Sequence, residues 1–422
     1  MIKLSLYNFI LAICFVSVAL VVVSSFAVYR NDPLSNMRVI LEDQIVSGSD
    51  FNANYFAAKR YFTSDSLYRS DKQESNFSKE LLMGGGKSRF VYYPFSALFF
   101  VPFTLLSFDN AYFLLTVINI LLLLISLLIL TSFVKKQTSF FLTISVLLLF
   151  SPILWTILER GQTDIIIFFF LTLCLYFFLN NKKKLSGISL VFASMFKLTP
   201  LFLVPYFYIK NKIIFYSFLI SFVFFIIILG TNRILDFISA IGHFSSNHSS
   251  SYLSTGIFGL FYNNITEKMV PSNLAHLVYI VIIVPIVLAF FYFSYKKFLN
   301  RNDQYSKLVG FSMFLSVMIL LPQVSWLQHC IHLLFIVTAY WIMREKIDFN
   351  KRIIAMDFLI VLIFSAPMLL LVFQDLPLLI IFALRPLYVV LLVCIFWSLY
   401  SKLDKENIIP TINSESFLKQ IV

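Results

Sequence analysis

Residues 111–133 read AYFLLTVINILLLLISLLILTSF, a run without a charged side chain, and Lys135-Lys136 stand just beyond it. A single helix crossing a bilayer needs about 20 apolar residues, so this stretch is long enough to span alone. Working outward, further apolar runs lie near 92–107, 139–157, 165–180, 185–208, 213–230, 274–294, 308–321, 328–343, 353–373 and 378–400. Hydrophobic residues make up 59% of the 422 residues and charged ones 13%. A soluble chain of this length needs far more polar surface, which excludes a cytosolic enzyme, a disordered protein and a secreted disulfide scaffold. The chain is expected to be an all-α polytopic membrane protein.

The excess of 33 basic over 21 acidic residues collects in short clusters between the apolar runs. These are Lys135-Lys136, Lys182–Lys184, Lys210 with Lys212, Lys296-Lys297 with Arg301, Arg344 with Lys346 and Arg352, and Lys402 with Lys405. Such clusters mark cytoplasmic loops and argue against nucleic acid as a partner. Cys14, Cys174, Cys330 and Cys394 are far apart and without metal-binding spacing, so they read as small hydrophobes.

Residues 9–29 suit an uncleaved first helix better than a signal peptide, because no clear cleavage site follows. Residues 30–90 then form the long hydrophilic segment, rich in Asn, Ser and Asp and ending near Gly84–Gly86. Several apolar runs are short or broken, at Tyr93-Pro94 and Pro102 and at Lys197-Leu198-Thr199-Pro200. Irregular backbone at membrane depth is tolerated only where it faces protein or a wet cavity. Keeping every basic cluster inside forces the runs 92–107 and 185–208 to dip and return. About ten to twelve helices then cross or dip into the membrane. The whole chain, 1–422, reads as one integral-membrane domain. The segments 30–90 and 231–273 are extracytoplasmic loops, 401–422 is a cytoplasmic tail, and both termini are cytoplasmic. No internal or inverted repeat is evident.

This topology gathers the chemistry-bearing residues on the extracytoplasmic side. Asp50 opens a segment in which Phe51, Tyr55, Ala58 and Phe62 recur at helical spacing, suggesting an amphipathic helix on the membrane surface. Asp50 reads either as an N-cap or as a reacting carboxylate. Lys197 within an apolar run is a functional candidate, with snorkelling as the alternative, and the Thr199-Pro200 break favours function. Arg385-Pro386 is a weaker case of the same kind. Arg160 and Asp164, flanking Gln162, either pair with each other or with Glu159 at a helix end, or belong to a site. His329 beside Trp326 and Gln328 reads as a site element or as part of an interfacial aromatic belt. His243 and His248 lie in a Ser-rich loop and read as solvated rather than metal-binding. No nucleophile elbow, P-loop or zinc-protease motif is present.

The ordered set Asp50–Tyr55–Ala57-Ala58, Tyr93-Pro94, Arg160-Gly161-Gln162, Gly187 through Lys197–Pro200 and Ser325-Trp326 resembles glycosyltransferase family 87, over about residues 50–330. That family is a branch of the C-type superfamily of membrane glycosyltransferases. The resemblance implies a C-type helical bundle with a helical first loop, a polyprenyl-phosphate sugar donor and Asp50 as catalytic base. It also implies a donor site bordered by Lys197 and Arg160. Beside these, Gln162, Asp164, Tyr93, His329, Trp326 and Arg385 are further substrate-binding candidates. The chain departs from the family at Tyr93-Pro94-Phe95, where a second proline is common. It departs again at Ser325-Trp326-Leu327-Gln328-His329, where paired histidines are common. The expected activity moves a hexose, mannose first, onto an extracytoplasmic lipid or glycan acceptor, in a bacterial inner membrane. No cofactor is expected, and metal-independent transfer is favoured because Asp50 has no adjacent acid. The competing readings are a lipid-linked-glycan flippase, which would line both faces with ionisable groups, and a glycan polymerase or ligase, which would place arginines in a large late loop.

Overall fold

The computed structural model describes residues 49–63, 66–68, 90–149, 151–247, 301–320, 327–347, 351–372 and 385–405, with a few isolated positions besides. Among these residues the regular structure is helical, without a strand, and the chain is an all-α polytopic membrane protein. In chain order the helices are α1 Ser49–Lys59, α2 Pro94–Phe100, α3 Phe108–Ser132, α4 Gln137–Leu149, α5 Pro152–Arg160, α6 Asp164–Leu179 and α7 Lys183–Phe196. There follow α8 Val204–Lys210, α9 Lys212–Leu229, α10 Thr231–Asn247, α11 Gln304–Leu320, α12 Leu334–Arg344, α13 Lys351–Val372 and α14 Arg385–Lys405. Short 3₁₀ segments occupy Val101–Leu105, Thr199–Leu203 and Leu327–Leu333. The proposed first helix at 9–29, the Gly84–Gly86 turn, the run 274–294 and His248 lie outside the described residues. The described part of the segment 231–273 is α10.

Helix α3 has 25 residues and is about 37 Å long at 1.5 Å per residue, enough to cross a bilayer. It buries Ala111, Leu115, Asn119 and Leu123 against the protein while Phe113, Val117, Ile120, Leu124 and Leu128 stay exposed. A contiguous apolar face of this size belongs in lipid, not in water. Helix α9 repeats the pattern, with Ile214 and Phe218 inward and Ile220, Phe224 and Ile227 outward. Other apolar segments are short or broken, as the sequence suggests. Helices α4 and α5 meet at a 60° bend. There Pro152 removes a backbone donor and Ser151 accepts from the Ile153 amide at 3.2 Å.

Close helix crossings rest on small residues. A Cβ on Gly187 of α7 would fall 2.6 Å from the Ile214 carbonyl oxygen of α9, so only glycine permits this approach. Helix α1 departs from expectation. It is buried nearly all round within the protein. Phe51, Ala53, Asn54, Tyr55, Ala57 and Ala58 are all buried against α2, the Val101–Leu105 turn, α3 and α5. Its small residues let neighbours close in on more than one side. The helix ends at Lys59, so Phe62 falls beyond it and is exposed.

Helix α6 runs from the candidate site to the basic clusters. Its 16 residues separate Asp164 from Leu179 by about 22 Å. Near Leu179, Gln304 donates to the Leu179 carbonyl at 3.4 Å and the Lys307 ammonium lies 5.4 Å from the Phe178 ring centre. Lys210 donates to the Arg301 carbonyl in the same neighbourhood. Chain segments 183–196 and 199–210 therefore leave and return to one end, with the Lys197 break at the other.

Candidate active site

The site is assembled on the turn between α5 and α6. Gly161 adopts φ 65°, ψ 45°, the left-handed conformation in which glycine is favoured. Its amide donates to Leu158 at 3.2 Å and the Gln162 amide to Ile157 at 2.9 Å, the paired bonds of a Schellman turn. The Tyr112 hydroxyl donates to the carbonyls of Leu158 and Glu159, at 2.9 and 2.8 Å. Glycine has a second reason here: a Cβ would sit 2.5 Å from the Cβ of Phe51, so α1 packs directly on the turn. The turn sends Arg160 and Gln162 toward α1.

Arg160 Nε donates to Asp50 Oδ2 at 2.5 Å, and Gln162 Nε2 donates to the same oxygen. Asp50 is the second residue of α1, and its carboxylate faces these two donors across 110 residues of chain. A second ion pair lies on the other side of Gln162: Lys197 Nζ donates to Asp164 Oδ2 at 2.7 Å. Lys197 also reaches Gln162 Oε1 at 3.5 Å and His329 Nε2 at 3.3 Å, which together take the three donors of an ammonium. Accepting from Lys197 leaves the His329 proton on Nδ1. Gln162 is thus a hub, its amide nitrogen on Asp50 and its amide oxygen on Lys197. A glutamate there would set a second carboxylate against Asp50.

Two more groups complete the hub. The Tyr92 hydroxyl donates to Gln162 Oε1 at 3.3 Å, and Asn119 donates to the Gln162 backbone carbonyl at 3.3 Å. The Lys197 ammonium lies 5.7 Å from the Tyr92 ring centre, within cation–π range. Tyr68, in the first loop, donates to the Tyr92 carbonyl at 2.9 Å. Burial, and then the Asp236 charge, push its hydroxyl up from the ordinary tyrosine range, so it remains a donor. Asp50, Gln162 and Asp164 are buried, whereas the side chains of Arg160 and Lys197 keep 19% and 15% exposure. The two cations are therefore the members of the ion pairs that an incoming anion meets.

The break that delivers Lys197 is local chemistry. Pro200 cannot continue a helix, α7 stops at Phe196, and Lys197 takes an extended conformation of φ −142°, ψ 142°. Lys197 accordingly points into the protein rather than snorkelling to an interface.

The structure brings Asp50, Arg160, Gln162, Asp164, Lys197 and His329 into one cluster. Tyr93 does not join it. It precedes Pro94 in extended backbone, where successive side chains point to opposite sides, so Tyr92 enters the site. Tyr93 instead packs edge-on against Phe237 at 5.1 Å and stacks on Phe222 at 6.3 Å. Trp326 lies outside the described residues, and Arg385 opens α14 with its side chain likewise outside them. Sequence reasoning missed Tyr92, Asn119 and His332. His332 follows His329 by three residues on a 3₁₀ segment, where i and i+3 eclipse. Both rings therefore face Asp164 Oδ1, at 3.6 Å for His329 and 3.9 Å for His332. A second histidine thus reaches Asp164 from one 3₁₀ turn beyond His329.

Among the described residues no group of three or more His, Cys, Asp or Glu side chains has the geometry to hold a metal ion. The arrangement offers a carboxylate that can accept a proton and two fixed cations that can stabilise an anion, with Gln162 holding both at a set separation. Comparison with protein families matches residues 90–322 to glycosyltransferase family 87. No match was found among curated proteins or solved structures.

Proposed function

Because the chain belongs to glycosyltransferase family 87 and is a membrane glycosyltransferase, we propose that it moves a hexose, mannose first, from a polyprenyl-phosphate sugar to a lipid or glycan acceptor. The supporting observation is that Gln162 bonds both the Asp50 carboxylate and the Lys197 ammonium, so base and cation serve one pocket.

Asp50 takes the proton of the acceptor hydroxyl as its oxygen forms a bond to the anomeric carbon. The bond from that carbon to the phosphate oxygen breaks, and the electron pair leaves with the polyprenyl phosphate. A positioned base is worth typically 10²–10⁴-fold. The leaving phosphate is already anionic and needs cationic stabilisation more than a general acid. Arg160, partly exposed, contacts it. Lys197, with its donors engaged, acts through its charge. His329 and Asp164 set the position of Lys197, and Trp326 and Arg385 complete the proposed donor-binding set. The ammonium of Lys197 lies between the Asp164 carboxylate and His329, where a bound metal would draw its ligands, so we read the transfer as metal-independent.

Compartment follows from charge. We read the basic clusters at the far end of α6 as cytoplasmic, and on that reading the pocket opens to the extracytoplasmic face of a bacterial inner membrane, with both termini cytoplasmic. The short, broken helices around the pocket suit lateral access for a polyprenyl tail, as in a C-type bundle.

The test is a panel of polyprenyl-phosphate sugars supplied to membranes holding the wild-type protein or Asp50→Asn, with released lipid phosphate as the readout. One donor is consumed by wild type, and Asp50→Asn slows that reaction by about 10²–10⁴-fold. Unchanged turnover in a folded Asp50→Asn protein removes the base assignment; no turnover of any donor removes the donor class.

A further inference from the structure

Helix α10 follows α9 at once, with Gly230 at φ 82°, ψ 145° making the turn. Its Phe237 is buried against Tyr93 and Tyr68, while Leu235 and Ile238 stay exposed, so the helix runs along the edge of the protein. From it Arg233 Nη2 donates to the Tyr61 carbonyl at 2.8 Å and to the Thr63 carbonyl at 2.9 Å. The guanidinium also lies 5.7 Å from the Tyr61 ring centre. Tyr61 and Thr63 lie in the turn that follows Lys59, the last residue of α1, at the end of the helix where its dipole favours a cation. The other end of α1 carries Asp50.

Helix α1 is 11 residues long, about 16 Å, and buried along most of its length. Such a short rod moves as a unit. Its Asp50 end is held by Arg160 and Gln162, its middle by Ser96 donating to Asn54 at 2.7 Å and Tyr55 donating to Leu106 at 2.7 Å, and its far end by Arg233.

We infer that Arg233 is a positioning residue, which clamps the C-terminal end of α1 and so fixes where Asp50 meets the acceptor hydroxyl. The inference rests on the base role proposed for Asp50. A misplacement of about 1 Å costs on the order of 10²-fold in rate. Arginine suits the task because one terminal nitrogen supplies both N–H donors while the planar guanidinium lies against the Tyr61 ring, whereas lysine offers a point charge without that plane.

The experiment uses the full-length protein in membranes and in detergent, with a polyprenyl-phosphate mannose donor or whichever panel donor releases lipid phosphate. Arg233→Ala is expected to lower kcat by roughly 10²-fold with the donor KM within about twofold, and Arg233→Lys to recover part of the loss. Hydrogen exchange read by mass spectrometry is expected to rise across residues 49–59 in Arg233→Ala and to stay unchanged across 164–179. Unchanged kcat in Arg233→Ala overturns the inference, as does faster exchange in both segments together, because the arginine would then be a general structural brace. The Asp50→Asn arm separates the two claims. If Asp50→Asn is inactive while Arg233→Ala is fully active, the positioning role alone fails. If Asp50→Asn stays active, the base assignment fails and the positioning role falls with it.

Discussion

At its first residue α6 presents Asp164, buried and bonded to Lys197, and beside it Gln162 joins a second ion pair between Asp50 and Arg160. At its last turn, about 22 Å away, Lys183 and Lys210 lie close enough to repel Lys307, and Asp303 is an acid that attracts Lys210 and Lys307. There Lys210 uses the Arg301 backbone carbonyl and Lys307 the aromatic face of Phe178. One end balances its charges pair by pair inside the protein. The other leaves an excess at the boundary, where water and lipid headgroups can meet it. Balanced buried pairs are costly to assemble and fail when one partner is lost. Unbalanced boundary charges tolerate change singly and act together on orientation.

The contrast gives a graded series of substitutions. Lys197→Met has the largest expected effect. It leaves the Asp164 carboxylate buried without its cation, at a cost of about 3–5 kcal/mol, seen as a lower unfolding midpoint in detergent. A midpoint equal to wild type would mean that the pair does not hold the site end together. Gly161→Ala comes next. The left-handed backbone alone costs about 1–3 kcal/mol in a residue with a side chain, and the new Cβ would push on Phe51 and carry Asp50 with it. Thermal unfolding and transfer rate should therefore fall together.

At the other end the expected effects shrink. Asp303 accepts from the Ser306 amide at 2.7 Å and caps α11, so Asp303→Ala should cost about 1 kcal/mol. The same unfolding measurement checks it, and turnover per folded molecule should not change. Lys307→Gln is expected to shift stability by no more than about 0.5 kcal/mol. A loss from Lys307→Gln as large as that from Lys197→Met would erase the distinction between the two ends.

Much of this arrangement is legible in the sequence. Runs such as 111–133 fix the membrane class, and the proline after Lys197 fixes the break because proline cannot continue a helix. The shared side of Asp50 and Lys197 follows from the positions of the lysine clusters. The remainder depends on geometry that residue types do not carry. Whether Tyr92 or Tyr93 enters the pocket depends on the phase of a short extended segment. His332 joins His329 only because residues 327–333 wind with three residues per turn. The spacing of Phe51, Tyr55 and Ala58 gives the helix, but the tolerance of Ala53 and Ala57 for close neighbours turns a surface helix into a buried one.

The central claim is that Arg160 and Lys197 open onto one compartment while Lys307 faces the other. It is tested by placing single cysteines at these three positions in a cysteine-free background and labelling sealed, oriented vesicles with a membrane-impermeant maleimide. Labelling is expected of Arg160→Cys and Lys197→Cys from the extracytoplasmic face only and of Lys307→Cys from the cytoplasmic face only. Labelling of Arg160→Cys and Lys197→Cys from opposite faces would contradict it.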